Sequence, residues 1–403
     1  MLYILSILVF SGVILILVTV LLFVESRVAG KDEFELTING NKDEKLKISG
    51  NPSLLSALSQ KDIFLPSACG GSGSCGMCKC EVIEGGGSIL PTELAHLTRK
   101  DKLANKRLSC QLKIKDNLEI KLPESIFGIK KIDAVVVSNH NVATFIKELV
   151  IRPETSIDFK AGAYIQIDVP EYDLIFKDFH IESKYVSEWK KYNLLELIAK
   201  GIKPGFRAYS LANPPHDNDI MMMNVRIATP PPGTQGLPPG FGSSYIFGLK
   251  PGDKVAISGP YGDFMARDTN NEMCFVGGGA GMAPLRSHIL HQLDGINSKR
   301  KISFWYGARS KKEMFYDDIF RDLEKRYDNF TYRVAFSNPE KEDHWDGLTG
   351  FIHTHLCDSY LCKHEDPTEI EYYLCGPPPM IDAIINGLYD LGVEDDMIFY
   401  DKF

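Results

Sequence analysis

The arrangement of apolar and polar residues divides the chain into four stretches. From Leu2 to Val24 no charged residue occurs, and about 20 apolar residues suffice to cross the hydrocarbon core of a bilayer as a helix. From Glu33 to about Pro123, apolar and polar residues alternate in short segments such as Phe34-Glu35-Leu36-Thr37-Ile38 and Asn117-Leu118-Glu119-Ile120-Lys121-Leu122. Period-two alternation predicts half-buried strands; with a helix over Ser53 to Gln60 they suggest a small mixed β-grasp-like domain. A third stretch, roughly Ile129 to Ala266, is dense in β-branched residues and broken by turns such as Thr229-Pro230-Pro231-Pro232-Gly233 and Lys250-Pro251-Gly252-Asp253. That pattern predicts a barrel of short strands. From Glu272 onward the buried strands Met273 to Val276, Ile302 to Tyr306 and Tyr372 to Cys375 are separated by helical stretches, one of them from Lys311. Such alternation predicts a parallel sheet with crossover helices.

Composition narrows the class. A chain of 403 residues is too long for one core and suggests two to four domains. A net charge of −8 without a basic tract argues against nucleic acid and against an electrostatic hold on anionic lipid. The nine cysteines show no disulfide spacing and suit a reducing compartment. The N-terminal run reads as a membrane anchor rather than a cleaved signal peptide. It lacks a basic leading region, exceeds the usual apolar core of a signal, and Glu25 to Gly30 is a poor cleavage site. Arg27 and Lys31 follow the run while nothing basic precedes it, which places the body of the protein on the cytoplasmic side.

Candidate chemistry begins at the cysteines. Cys69, Cys75 and Cys78 crowd into one glycine-rich loop and Cys110 returns later. Iron in clusters is held by soft thiolates, and the glycines Gly70, Gly71, Gly73 and Gly76 let the backbone wrap closely around them. The spacing of five, then two, then a distant fourth lies one residue from the plant-type pattern and predicts a 2Fe-2S cluster. Zinc is the rival, since Cys75 to Cys78 is half of a zinc knuckle, but a second close pair is missing. Cys80 sits in an apparent strand, Cys78 to Val82, and is expected to be a packed thiol. Cys110 heads another alternating segment, Arg107 to Leu112, that can fold back onto the loop.

Further along, Arg207-Ala208-Tyr209-Ser210, preceded by Phe159 to Tyr164, resembles the FAD barrel of the ferredoxin-NADP reductase superfamily. The resemblance implies a guanidinium on the FAD diphosphate, the Tyr209 ring stacked on the isoalloxazine and the Ser210 hydroxyl near flavin N5. It also implies diphosphate binding by backbone amides of Gly242, Ser243 and Ser244, with Gly259 to Gly262 closing the barrel. Gly277-Gly278-Gly279-Ala280-Gly281-Met282-Ala283-Pro284 follows a strand and opens a helix, which can bring backbone close to a pyrophosphate. With Pro284 in the third-glycine position it departs from the usual dinucleotide fingerprint but resembles the nicotinamide half of the same superfamily. Gly307 to Ser310, which contains Arg309, and Cys375-Gly376-Pro377-Pro378-Pro379-Met380 do so as well. There the resemblance implies that Cys375 lies beside the nicotinamide and that Phe403 covers the flavin. Arg309 could equally pair a 2′-phosphate. His288 with His291, and the alternating Phe351 to His355, have no ligand pattern joining them, and Glu394 to Asp396 reads as a solvated face.

The whole order resembles the family of F subunits of sodium-translocating NADH:quinone oxidoreductases, including the insert Tyr172 to Phe206 and the run Arg226 to Pro232. The expected fold is multidomain, α/β plus β. It comprises a transmembrane anchor over 1–26, a 2Fe-2S ferredoxin-like domain over 33–125, an FAD-binding barrel over 129–268 and a Rossmann-like NADH-binding domain over 270–403. The resemblance implies electron entry from NADH through FAD (Ser210 and Cys375 catalytic) to a cluster on Cys69, Cys75, Cys78 and Cys110. Other integral-membrane subunits would be partners at a bacterial inner membrane. A tethered reductase of a multicomponent oxygenase shares the three soluble modules but usually lacks an anchor, and a non-catalytic iron-sulfur carrier would leave the flavin and nicotinamide motifs idle.

Overall fold

The computed structural model describes residues 10–20, 33–41, 45–231, 233–234 and 236–402. The expected span Leu2–Val24 lies largely outside them. Residues 10–20 are helical and exposed, and among the described residues no helix is long and apolar enough to cross a membrane. Contacts divide the chain into two compact units, Met1–Lys130 and Lys131–Phe403.

The first unit is built on strands β1 (Glu33–Ile38), β2 (Leu46–Ser49), β3 (Lys79–Glu84), β4 (Lys106–Leu108) and β5 (Leu118–Lys121) in the order β2-β1-β5-β3-β4. The β1–β5 pair is parallel and the others antiparallel, the mixed sheet expected from the alternation. The helix Leu54–Ser59 buries Leu54, Leu55, Ala57 and Leu58 and is capped by Ser53, whose Oγ accepts from the Ser56 N–H at 3.3 Å. One expectation fails in detail. The Arg107 to Leu112 segment is a strand only as far as Leu108. The N–H groups of Gln111 and Leu112 both turn back onto the Leu108 carbonyl, so Cys110 sits in a turn rather than on a strand. Local backbone hydrogen bonds there outweigh the period-two pattern.

The second unit opens with the barrel strands β6 (Lys130–Ala143), β7 (Ile146–Pro153) and β8 (Tyr164–Val169), then the ribbon strand β9 (Tyr172–Ile175). Its ribbon partner β10 (Ile198–Gly201) is followed by β11 (Gly205–Ser210), β12 (Met221–Arg226) and β13 (Lys254–Tyr261). Six of these form a sheet in the order β11-β8-β13-β6-β7-β12, and a bridge between Leu211 and Met223 joins its two ends. The 14-residue β6 is longer than the short strands expected. Register shifts at Val136/Ser138 and Asn141/Ala143 interrupt it, and such bulges let a long strand curve around a barrel. The 172–206 insert carries the β9–β10 ribbon and the helix Ser183–Lys191. It has its own apolar cluster of Phe176, Phe179, Tyr185, Trp189 and Leu194, pinned where Trp189 Nε1 donates to the Thr144 carbonyl at 2.7 Å.

Beyond the barrel lie β14 (Met273–Gly278), β15 (Ile302–Ala308), β16 (Phe330–Phe336), β17 (Leu348–Thr349), β18 (Glu371–Gly376) and β19 (Ile398–Lys402). They form one parallel sheet in the order β17-β16-β15-β14-β18-β19. Neighbouring residues face opposite helical layers: Phe275 and Phe304 pack toward Leu285, Ile289 and Phe320, while Val276 and Trp305 pack toward Ile352, Leu356 and Ile381. The helix expected from Lys311 begins only at Asp317, after a short turn, and the alternating Phe351 to His355 is the start of a helix, Ile352–Ser359.

Candidate functional site

In the cysteine loop Gly70, Gly71, Gly73 and Gly76 adopt φ of 64°, 89°, 86° and 68°. At Gly73 the left-handed φ requires glycine, and a Cβ there would also stand 2.4 Å from Gln111 Nε2 and displace that side chain. The four thiols stand in two pairs. Cys75 donates to Cys69 Sγ at 3.3 Å, which draws the Cys69 thiol far below its usual range, and Cys78 and Cys110 are hydrogen-bonded to each other. Gln111 Nε2 lies 3.6 Å from Cys110 Sγ. Among the described residues no three His, Cys, Asp or Glu side chains close on a single ion. Two thiol pairs fit a cluster with two irons and four thiolates better than one tetrahedral zinc. Cys80 stays apart: it is buried, accepts from Ser109 Oγ at 3.3 Å, and burial pushes its thiol up to about 11.

Behind the loop, Arg107 grips Glu93 with Nε at 2.9 and 3.1 Å and Nη2 at 2.6 Å, both side chains almost wholly buried. The same carboxylate accepts the Leu90 and Leu108 N–H groups. Burial would raise the Glu93 carboxyl, but these donors bring it below its usual value. The pair fixes the backbone two and three residues before Cys110.

In the second unit Arg207 and Tyr209 alternate onto one face of β11, and the first turn of the helix Phe241–Gly248 packs against them. A Cβ at Gly242 would fall 2.5 Å from Arg207 Cγ and 2.6 Å from Tyr209 Oη. Only glycine lets the helix start approach so closely, and that start offers N–H groups without intrahelical partners. The Arg207 guanidinium lies 5.0 Å over the Phe241 ring. Ser243 Oγ is engaged in the turn, accepting from Ala228 N and reaching the Gly240 carbonyl, while Ser244 N donates to Gly240. A guanidinium, a phenol ring and a bare helix start in one cradle fit a flavin diphosphate and ring.

At the end of β11, Ser210 Oγ donates to Asp401 Oδ2 at 3.4 Å, and Asp401 is the β19 partner of Cys375 on β18. Ser210 and Cys375 are thus brought together by Asp401, a residue the sequence reading missed. Burial raises its carboxyl to about 6, and the Ser210 hydrogen bond opposes this. The signal was a carboxylate two residues before the terminal aromatic. Burial, with the nearby Asp401, raises the Cys375 thiol well above its usual value. Phe403 lies outside the described residues.

Gly278, Gly279, Arg309 and Pro377 line a cleft of about 400 Å³ at the ends of β14, β15 and β18, together with Arg226, Glu313, Phe351 and His353. Gly277, Gly281, Pro284, Cys375 and Gly376 are not among its lining residues. A Cβ at Gly281 would stand 2.0 Å from the Cys375 carbonyl, so glycine lets the helix Met282–Leu290 seat on β18. Burial raises the Glu313 carboxyl, with Arg226 and Arg309 opposing. A larger cavity of about 730 Å³, lined by Arg267, His288 and Lys299 among others, takes in Phe159, Lys160 and Ala161 from the start of the Phe159 to Tyr164 segment but none of the residues expected to contact flavin, nicotinamide or cluster. His288 is a core histidine there, its Nε2 on the Phe264 carbonyl at 2.9 Å, and burial pushes it down to about 4.

Three family models match the chain: a 2Fe-2S iron-sulfur cluster binding domain over residues 36–115, an oxidoreductase FAD-binding domain over 193–265 and an oxidoreductase NAD-binding domain over 275–385. Fold and site define a reductase in which nicotinamide- and flavin-binding modules share a chain with an iron-sulfur module. A ferredoxin reductase in carbazole 1,9a-dioxygenase is similar in fold, with a TM-score of 0.60 at 25% identity over 92% of this chain and 98% of that one. An Amycolatopsis cytochrome P450 reductase shares the fold at a TM-score of 0.61 and 21% identity, covering 92% of this chain and 98% of its own. The chain is 50% identical over 99% of both lengths to the F subunit of the Na(+)-translocating NADH-quinone reductase of Neisseria meningitidis. It is 51% identical to that of Mannheimia succiniciproducens over 98% of this chain and 97% of that protein. The chain belongs to the family of F subunits of Na(+)-translocating NADH-quinone reductases.

Proposed function

We propose that this chain is the electron-input subunit of a sodium-translocating NADH:quinone oxidoreductase, taking hydride from NADH and passing electrons singly to partner subunits and finally to quinone. The observation that carries the reading is the meeting of flavin cradle and nicotinamide sheet at the Ser210–Asp401 contact of 3.4 Å. Bound FAD supplies a two-electron acceptor that can release electrons one at a time, and a 2Fe-2S cluster supplies a one-electron relay. Arg207 and the amides of Gly242 and Ser243 would hold the diphosphate and Tyr209 would back the isoalloxazine ring, the Ser244 amide being engaged by the Gly240 carbonyl. Ser210 would stand on the flavin side of the cradle, its hydroxyl oriented by the hydrogen bond it donates to Asp401 at 3.4 Å. Gly278 and Gly279 admit the dinucleotide backbone, Pro377 walls the cleft, and Cys375 underlies the nicotinamide end. Cys69, Cys75, Cys78 and Cys110 would hold the two irons as thiolates.

The modules divide at 33–125, 129–268 and 270–403. Leu2 to Val24 forms a single-pass anchor in a bacterial inner membrane, with Arg27 and Lys31 keeping the body on the cytoplasmic side. Sodium movement then belongs to the other subunits, because the remaining sequence offers no ion path through a bilayer. Replacing Cys75 by serine is expected to leave NADH bleaching of the flavin intact while abolishing reduction of the natural acceptor. Acceptor reduction at the wild-type rate would overturn the cluster assignment.

A further inference from the structure

The end of the second strand in a dinucleotide-binding sheet is where the adenosine ribose is read, by a carboxylate when the 2′-hydroxyl is bare and by a cation when it is phosphorylated. Here that end, β15, runs straight into Arg309-Ser310-Lys311-Lys312-Glu313. Three cations in four residues look ready for a 2′-phosphate. Their surroundings say otherwise.

A polar niche adjoins the cleft and shares Phe145, Arg309 and Glu313 with it. Its charged lining is three cations, Lys191, Arg309 and Lys312, against three carboxylates, Glu188, Glu313 and Glu340. Lys312 Nζ stands 2.8 Å from Glu340 and 3.5 Å from Glu188, and Glu188 also holds Lys191 at 3.3 Å. The pairing with Glu340 and Glu188 raises the Lys312 ammonium further above its usual range. Lys311 is exposed and lines neither space. Glu188 belongs to the insert helix Ser183–Lys191, which the Trp189–Thr144 hydrogen bond and the Thr144 N–H on the Lys312 carbonyl at 3.3 Å hold against this corner.

We infer that the insert is a specificity element: Glu188, together with Glu340, occupies the Lys312 ammonium while Glu313 faces Arg309, so the corner offers a 2′-phosphate no uncompensated cation and the cleft selects the unphosphorylated dinucleotide. The inference rests on reading the cleft as the NADH site. A phosphorylated ribose brings close to two more negative charges into a corner already balanced by carboxylates, and like charges at such range are repelled. An unphosphorylated ribose brings none.

The test uses the full-length, FAD-loaded chain in detergent with Glu188→Gln, Glu340→Gln and the double substitution. Two quantities are read: the ratio of kcat/KM for NADPH over NADH in flavin reduction, and calorimetric binding of adenosine 2′,5′-bisphosphate relative to adenosine 5′-monophosphate. The double variant should raise the ratio about threefold to fivefold, the scale of one released, partly exposed ion pair, and should tighten the bisphosphate relative to the monophosphate. Adding Lys312→Met should cancel both gains. Because Glu340 also caps the turn at 341–343, Glu188→Gln alone must move both quantities in the same direction. If neither quantity moves while NADH still bleaches the flavin, the inference falls and the cleft assignment stands. If NADH fails to bleach the flavin of the unmutated chain, the cleft assignment falls and the inference goes with it.

Discussion

Asp401 holds its proton more tightly than an aspartate in water, because burial lifts its carboxyl to about 6 from the usual 3.8. The native state therefore binds that proton more strongly than the unfolded chain does. Its contribution to stability is complete below about pH 3.8 and is lost as pH rises through about 6. Unfolding free energies of Asp401→Asn and wild type, measured from pH 4 to 7, should diverge in favour of the variant as pH rises, by at most about 3 kcal/mol. A constant difference across that window would mean that Asp401 does not titrate there. The cysteine loop was readable at this scale because spacing and glycines are local. Asp401 was not, because its contact with Ser210 spans 191 residues and depends on the register of two strands, which no single segment announces.

Among the elements, the short stretch that ends at Cys110 is held from outside by Glu93. Glu93 has negligible exposure and accepts from the Arg107 side chain and from two backbone N–H groups, one of them Leu108. Truncation to Glu93→Ala leaves a buried guanidinium uncompensated, at a cost of about 3–5 kcal/mol. The expected result is earlier bleaching of the cluster's visible absorbance on heating, with the flavin band unaffected up to that temperature. Cluster and flavin bands lost together at the wild-type temperature would deny the pair this role. Patterns of period two located β1 and β5 well, yet misjudged Arg107 to Leu112, and the alternation of Phe351 to His355 marks a helix rather than a strand. In the first, hydrogen bonds to the Leu108 carbonyl curl the chain. In the second, Gly350 at a φ of 113° precedes a helix whose His355 ring nitrogen lies 2.9 Å from the Thr349 carbonyl. Five or six residues are too few for alternation to prevail over such local bonds.

At the scale of the molecule, the linear order of modules was the most legible property, since each carries its own motif and none needs knowledge of another's packing. Their covalent joining also matters. Strand β5 ends at Lys121 and β6 begins at Lys130, so only the eight residues 122–129 separate the last strand of the iron-sulfur unit from the first of the flavin unit. A connection that short gives each cluster an effective concentration of flavin in the millimolar range, whatever the protein concentration. Electron delivery from flavin to cluster should accordingly be first order, with a half-time unchanged on dilution. Two crippled chains should also fail to rescue each other: Arg207→Ala, deprived of flavin, mixed with Cys75→Ser, deprived of its relay, should reduce the natural acceptor no faster than either alone. Substantial recovery on mixing would show that electrons pass freely between molecules. If they do not, every copy is a private wire, and a single damaged cluster silences its own flavin without drawing on its neighbours.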